Sequence, residues 1–248
     1  MDLDGDGRAD IISGSFPGEI YFFKRNADGS FAAPVKLKDK SGAMLNVGRA
    51  SSVAVGDWDG DGVPDLVIGT IDGAVFKVHN DGTKEKPAFG KAEKLTNISA
   101  PEGDAGPCLA DWDGDGRLDL LLGSGSGEVR LFRNTGSARQ PQWEESSVLV
   151  AGHRQKRPTE EEFENPTRSG RRSKVAVADW NGDGKPDLLV GDFSSMPERK
   201  FHGWVWVYLR KVEPTGRDRE QGDQVRERNS DSDVDVRELP KEGEFKEP

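Results

Sequence analysis

The chain has 248 residues, a formal net charge of −10 and 31 glycines, and only 33% of its residues are hydrophobic. This length allows one large domain or two ordinary ones. Without a run of 18 apolar residues we expect no membrane span, and without a basic stripe we expect no nucleic-acid partner. Cys108 is the only cysteine, which excludes an intrachain disulfide and favours a small buried apolar role.

The first half of the chain contains two related units of short strands. The first unit opens on an acidic motif, DLDGDGRAD at 2–10, followed by predicted strands at 11–13, 19–23 and 31–37. The second has a strand at 52–56, the motif DWDGDGVPD at 57–65, and strands at 66–69, 74–79 and 89–95. Short apolar runs bounded by glycine are typical of buried strands. The first unit therefore lacks only its opening strand.

The second half repeats the unit twice. The third unit has strands at 108–110, 120–122, 128–133 and 143–150 around DWDGDGRLD at 111–119. The fourth has strands at 174–178, 188–190 and 203–209 around DWNGDGKPD at 179–187. Two polar insertions, 153–174 and 192–202, interrupt this region. Because successive connections of a meander alternate between its two ends, we expect both insertions on the face opposite the acidic motifs.

The last segment, 212–248, has a different composition. It contains 19 charged residues and a single aromatic one, too little apolar surface to fold alone. We expect a disordered charged tail that can be removed without changing the melting temperature. The stretch 234–239 is the exception, because its alternating pattern suits a short edge strand.

The acidic motifs have the composition of calcium loops. Oxygen-bearing side chains stand at positions 1, 3, 5 and 9, and glycine at position 6 allows the positive φ of a sharp turn. Calcium takes six to eight oxygen ligands, and a main-chain carbonyl at position 7 would add one more. The predicted ligands are Asp2, Asp4, Asp6, Arg8 and Asp10; Asp57, Asp59, Asp61, Val63 and Asp65; Asp111, Asp113, Asp115, Arg117 and Asp119; and Asp179, Asn181, Asp183, Lys185 and Asp187.

The helix–loop–helix calcium motif does not fit these loops. That motif requires glutamate at position 12, where this chain has Ser13, Ile68, Leu122 and Val190. The segments after the loops are short apolar runs rather than helices. Each loop therefore connects two strands, and the spacing of 55, 54 and 68 residues between loop starts predicts a propeller or a solenoid. Four antiparallel strands in such a unit make one propeller blade.

The four loops and their flanking strands resemble FG-GAP/VCBS repeats, which form the β-propeller of integrin α-subunits and of many secreted bacterial proteins. The resemblance covers residues 2 to about 210, and the absence of a Phe-Gly-Gly-Ala-Pro signature makes it closest to the bacterial VCBS type. It implies up to four calcium ions on one face and ligands on the other. We therefore expect an all-β propeller over 1–211, with blades at about 1–44, 45–100, 101–152 and 153–211.

Blade number is left open by the sequence. About three and three-quarter blades are present, whereas closed propellers have four to eight. The chain is therefore a fragment, a gene product that begins too late, or a small four-bladed ring with a borrowed strand. No signal peptide is present, and we expect an extracellular or periplasmic location with the signal lost by truncation.

The leading functional hypothesis is a calcium-stabilised extracellular module that binds or scaffolds a protein or glycan and has no catalytic activity. One alternative is a polysaccharide lyase or hydrolase that uses His153, residues 160–162, Arg199 and His202. Charged loops are more often simply solvated, and we expect His79 and His202 to fill surface or core positions. The other alternative is a lectin-like sugar binder with Phe201, Trp204, Trp206 and Tyr208, although packing between blades suits these rings better.

Position 2 of each loop is the last notable pattern. It holds Leu3, Trp58, Trp112 and Trp180. This side chain points away from the ligands at positions 1 and 3, so we expect all of the tryptophan rings to be buried between neighbouring sheets.

Overall fold

The computed structural model describes residues 1–137, 139–152, 159–167, 169–195, 201–210 and 234–237. It contains four small antiparallel sheets arranged as the blades of a β-propeller, with almost no helix. The predicted all-β propeller is therefore confirmed. Within the described ranges, no helix is long and apolar enough to cross a membrane.

The first two blades follow the chain without crossovers. Blade 1 has three strands in the order β1-β2-β3, and blade 2 has four in the order β4-β5-β6-β7. Their bounds are β1 Ile11–Gly14, β2 Ile20–Phe23, β3 Val35–Lys36, β4 Ser52–Gly56, β5 Asp65–Gly69, β6 Ala74–Val78 and β7 Glu93–Ser99. As the sequence predicted, blade 1 has no strand before its acidic loop.

Blades 3 and 4 repeat the same meander. Blade 3 contains β8 Gly106–Ala110, β9 Asp119–Gly123, β10 Val129–Asn134 and β11 Trp143–Val150. Blade 4 contains β12 Arg171–Ala178, β13 Asp187–Ser195, β14 Phe201–His202, β15 Val205–Arg210 and β16 Val234–Arg237, with a short helix α1, Glu160–Glu164, before it. The last strand, β16, pairs with β15 as the outer strand. The rest of 212–248 lies outside the described residues.

Three buried apolar clusters fill the spaces between consecutive blades. One joins blades 1 and 2 through Leu3, Leu66 and Phe89. The second joins blades 2 and 3 around Trp58 and Trp143, and the third joins blades 3 and 4 through residues such as Trp112, Leu188 and Tyr208. Burial of this apolar surface is the main stabilising term for the array. None of the three clusters joins blade 4 to blade 1.

In blades 1 to 3, the glycine four residues after the last loop aspartate allows the next blade to come close. A Cβ built on Gly69 would lie 2.4 Å from the carbonyl oxygen of Ala105, and one on Gly123 would lie 2.2 Å from that of Ser173. Both oxygens belong to the next blade. Any side chain there would have to displace a backbone. Next to these glycines, the Ala105 and Ser173 amides donate to the carbonyls of Thr70 and Ser124, at 2.9 and 3.0 Å.

The prediction for the loop tryptophans is correct for two of the three. Leu3, Trp58 and Trp112 are 2%, 6% and 3% exposed, but Trp180 is 52% exposed. The expectation that Trp180 is buried was therefore wrong. The physical reason is positional: a loop residue at position 2 is covered by the blade that follows it, and no described strand follows blade 4.

The two insertions contact each other. Phe163 of α1 is 1% exposed, and its ring meets the His202 ring edge-on at a centroid distance of 4.4 Å. This contact places both insertions at one end of blade 4. Residues 153–158 and 196–200 lie outside the described part of the chain.

Candidate metal centre

Each acidic loop is a tight turn built by glycine and closed on its own aspartate. The glycines at positions 4 and 6 have positive φ in all four loops, for example 72° at Gly60 and 89° at Gly62. The sequence predicted this conformation for position 6 alone. The first aspartate then accepts two backbone N–H groups: Asp57 accepts from Asp61 at 3.0 Å and from Gly62 at 2.8 Å. The same pair of bonds recurs at Asp2, Asp111 and Asp179.

This turn gathers three carboxylates at one point. One oxygen from each of positions 1, 3 and 5 lies within 4.8 Å of the others in the first three loops. The residues are Asp2, Asp4 and Asp6; Asp57, Asp59 and Asp61; and Asp111, Asp113 and Asp115. In the fourth loop the middle residue is Asn181, whose amide donates to Asp183 at 3.0 Å, and this bond holds the pKa of Asp183 below its usual range.

The aspartate at position 9 is buried and fastens the loop to the sheet. Asp10, Asp65, Asp119 and Asp187 are at most 8% exposed. Asp119 accepts the Trp112 amide at 3.1 Å and the Asn134 amide at 2.8 Å, which ties position 2 to the end of the third strand. The corresponding bonds form at Asp10 and Asp187. The aspartate at position 9 therefore has a structural role. Metal binding by this aspartate stays a prediction, and so does metal binding by the main-chain carbonyls of Arg8, Val63, Arg117 and Lys185.

Burial makes several of these carboxylates costly to ionise. Desolvation raises the pKa of Asp65 to about 7. It also raises the pKa of Asp119, and the pKa of Asp59, where the neighbouring charge of Asp61 adds to the effect. Clustered carboxylates removed from water favour the protonated form unless a cation stands beside them.

A basic side chain reaches three of the four loops from the end of the third strand. Lys24 contacts Asp4 and lies 2.6 Å from Asp6, and this contact lowers the pKa of Asp6. His79 Nδ1 lies 3.3 Å from Asp59 and 3.1 Å from Asp65. Arg133 lies 3.6 Å from Asp113. In blade 4 Arg210 is the counterpart of Asn134, because its amide also donates to the last aspartate of the loop. The residue before it, Leu209, has no charge to offer to the fourth loop.

Sequence reasoning missed this position, although a signal was present. Lys24, His79 and Arg133 each stand 22 residues after the start of their loop. The sequence predicts a surface or core position for His79. The structure instead places its ring beside two predicted ligands and 5.6 Å from the Trp58 ring, on the wall of a cleft of 690 Å³ between blades 2 and 3.

The residues present fit a hard divalent cation. The donor sets are dominated by carboxylate oxygens, and two buried oxygens, Asp4 Oδ1 and Asp65 Oδ2, have no hydrogen-bond partner. Such orphaned acceptors are costly unless a donor or a cation satisfies them. The second loop differs from the rest, because His79 offers a nitrogen next to its oxygens.

The alternative site residues are only partly brought together. Trp206 and Tyr208 are 7% and 5% exposed and belong to the core between blades 3 and 4, whereas Phe201 and Trp204 are 63% and 42% exposed. His202 is packed between the rings of Phe163 and Trp204. Residues 160–162 lie in α1. His153 and Arg199 fall outside the described residues.

Two known proteins are similar to parts of this chain. Rat (Rattus norvegicus) integrin alpha-7 is 31% identical over 151 residues, which cover 53% of this chain and 13% of the integrin. The chain thus spans a small part of that relative. A Tc holotoxin pore from Photorhabdus luminescens aligns with 82% of this chain and 8% of its own, at 22% identity and a TM-score of 0.45.

The FG-GAP-like repeat family matches residues 2–68, 57–122 and 111–190. Each match runs from one acidic loop to the strand that follows the next loop, and together they cover most of the described blades. The chain therefore belongs to the FG-GAP-like repeat family.

Proposed function

We propose that this chain is a calcium-stabilised extracellular propeller that binds or scaffolds a partner and catalyses no reaction. The observation that carries the proposal is the gathering of three carboxylates in each of three loops. Without a cation these charges repel each other across a turn that the backbone holds tightly closed. With calcium bound, the same charges stabilise the folded state.

The size of the effect follows from linkage. An ion that binds the folded loop and scarcely binds the unfolded chain adds about 2.7 kcal/mol per site at a hundredfold excess over its Kd. Extracellular calcium modules have Kd values of about 10⁻⁴–10⁻³ M. Such sites would be filled outside cells, which is the setting that we propose. Relatedness to an integrin α-subunit and the repeat family support this setting.

Thermal unfolding tests the calcium proposal. The melting temperature should rise with added calcium and fall with a chelator, and calorimetric titration should give the number of sites. Asp113→Asn should remove one site, because it replaces a central loop carboxylate. Glu144→Gln, an exposed position outside the loops, is the matched control and should leave calcium binding unchanged. Equal melting with calcium and with chelator would refute the proposal.

We propose that the partner, a protein or a glycan, binds at the end of the propeller opposite the acidic loops. The exposed rings of Phe201 and Trp204 lie there on blade 4, each beside a half-buried ring. Phe193 and Phe201 stack at a centroid distance of 5.8 Å, and His202 and Trp204 stack at 6.2 Å. Exposed aromatic side chains are common anchors of binding surfaces.

Binding arrays separate the two kinds of partner. A glycan array that retains the protein, and loses it in Trp204→Ala or Phe201→Ala, would support a lectin-like role. Retention on immobilised extracellular proteins with the same losses would support a protein partner. Val148→Ala is the control, since Val148 is 40% exposed but lies on the outer strand of blade 3. Release of reducing ends from polysaccharides would instead show an enzyme and contradict the proposal.

A further inference from the structure

Among the described residues, nothing covers the face of blade 4 that would meet a following blade, whereas the next blade covers this face in blades 1 to 3. The residue paired with the glycine four positions after the last loop aspartate shows this directly. The pairs are Gly14 with Ile20, Gly69 with Val75, Gly123 with Val129 and Gly191 with Val205. Ile20, Val75 and Val129 are 0% exposed, whereas Val205 is 55% exposed.

Two further positions agree. Trp180 is 52% exposed where its counterparts Leu3, Trp58 and Trp112 are buried. A Cβ on Gly191 would meet no atom closer than 3.8 Å, and that atom is in its own blade. At Gly14, Gly69 and Gly123 the backbone of the next blade lies within 2.4 Å of such a Cβ. Blade 4 therefore presents a face of the same design as the three internal ones, and no residue of the described ranges occupies it.

Blade 1 presents the opposite half of the same contact. In the first two interfaces, the loop residue at position 2 is covered by an aromatic ring of the next blade that pairs with the residue 23 positions after that blade's loop start: Phe89 lies with Leu3 in one cluster, and Trp143 meets Trp58 at 6.0 Å. The corresponding residue in blade 1 is Phe31, paired with Arg25 as Phe89 is with Asn80. Phe89 and Trp143 are 3% and 5% exposed, but Phe31 is 42% exposed.

A second position on blade 1 is exposed in the same way. The residue that follows the last aspartate of the loop is Leu66, Leu120 or Leu188 in blades 2 to 4, and each is 0% exposed because it packs against the preceding blade. In blade 1 this residue is Ile11, which is 45% exposed. Blade 1 thus offers a face that fits a preceding blade, just as blade 4 offers a face that fits a following one.

We propose that two copies of this chain associate head to tail, with Trp180 and Val205 of one copy packed against Phe31 and Ile11 of the other. The exposed residues of this junction occupy the same positions as the buried residues of the interfaces within the chain. The partner is therefore a second copy rather than an unrelated protein. A head-to-tail contact closes into a ring when the rotation between subunits allows it. Two copies with four blades each make eight, within the range of closed propellers.

The junction would be weaker than the internal interfaces. Blade 1 has no strand before its loop, and in blades 2 to 4 that strand supplies part of the contact with the preceding blade, for example Leu109 of β8 in the cluster around Trp58. Ser13 also replaces Ile68, Leu122 and Val190 at the next inward position of the second strand. The dimer is therefore expected to be reversible and dependent on concentration.

Light scattering after size-exclusion chromatography tests the proposal with the full chain in calcium buffer. The native chain should approach twice its 27.1 kDa mass as concentration rises. Trp180→Glu and Phe31→Glu should each weaken the dimer by about thirtyfold or more, the effect of a hot-spot residue. Val148→Glu is the control, because Val148 is 40% exposed on the outer strand of blade 3. At concentrations where the native chain has single-chain mass, melting temperatures equal to the native value show that the variants are folded.

Mixing the two variants gives the decisive result. A ring made of one Trp180→Glu copy and one Phe31→Glu copy has one junction with both native residues and one with both substitutions. Mixing should therefore restore part of the dimer that neither variant forms alone. A native chain that stays at single-chain mass at every concentration would overturn the proposal. So would a dimer that is lost in Trp180→Glu but kept in Phe31→Glu, because that pattern indicates two blade 4 faces in contact with each other.

Discussion

The Lys24 ammonium lies 2.6 Å from the Asp6 carboxylate, inside the first acidic loop. It also contacts Asp4, and these contacts raise the pKa of Lys24. A lysine there supplies the positive charge that a metal ion would supply. It therefore stabilises the metal-free loop and opposes the entry of calcium.

We expect Lys24→Leu, which copies Leu209 of blade 4, to have opposite effects with and without calcium. Without calcium the melting temperature should fall, because Asp4 and Asp6 lose their cation. With calcium the first loop should bind about tenfold more tightly, since a competing charge has gone. Calorimetric titration and thermal melting measure both effects. Lys36→Leu is the control, because Lys36 pairs with Glu19 away from the loops. Identical titrations of the native chain and Lys24→Leu would contradict this view of Lys24.

The four loops should differ in their importance for stability. Asp59→Ala or Asp113→Ala should lower the melting temperature in calcium more than Asp4→Ala does. The second and third loops lie between two strands of their own blade, whereas the first has no described strand before it and already holds Lys24. Melting each variant with calcium and with chelator provides the comparison. A dominant effect of Asp4→Ala would show that another segment completes blade 1.

The loop tryptophans should divide by position in the array. Trp112→Ala should cost about 3–5 kcal/mol, because the ring is buried and leaves a cavity. Trp180→Ala should change the free energy of unfolding of the isolated chain by only about 0.5 kcal/mol, as is usual for exposed positions. Denaturant titration at low protein concentration measures both. Equal losses would mean that Trp180 is covered in solution.

The contact between blades 3 and 4 should weaken in acid. Asp104 lies beside Arg172 and 3.2 Å from Lys174. Burial alone would raise the pKa of this carboxyl, but the charges of Lys174 and Arg172 outweigh it and leave the pKa lowered.

A group whose pKa is lowered in the folded state stabilises the protein above its unfolded pKa, about 3.9 for aspartate, and that stability is lost as pH falls through the folded value. The native chain should therefore lose more stability than Asp104→Asn between neutral pH and about pH 3. Unfolding titrations across this range, at low and high salt, measure the difference. Parallel curves for the two proteins would show that the ion pair contributes nothing.

Much of the fold could be predicted because its signals are local. Glycine and aspartate at fixed loop positions specify the turns, and the short apolar runs that end in Gly69 or Gly123 specify buried strands. The exposure of Trp180 could not be predicted in this way, since its loop has the same pattern as that of Trp112. What differs is whether another blade follows, and that is a property of the array rather than of the motif.

The acidic loops were also only partly predictable. The carboxylates at positions 1, 3 and 5 meet as expected in three loops. The bonds of Asp119 to the amides of Trp112 and Asn134 were not foreseen, because they connect the loop to a strand end 15 residues away. The contact of His79 with Asp59 and Asp65 was missed for the same reason: the partners are distant in sequence and meet only when the sheet has formed.

The close approach at Gly69 and Gly123 fixes the angle between blades by backbone contact instead of by side-chain volume. A methyl group at either glycine would collide with the backbone of the next blade and change the angle between the two blades. The position of every later blade would change with it. We infer that these close backbone contacts at glycine, more than the large rings at position 2, determine the curvature of the array. They would thus determine how many blades complete a circle.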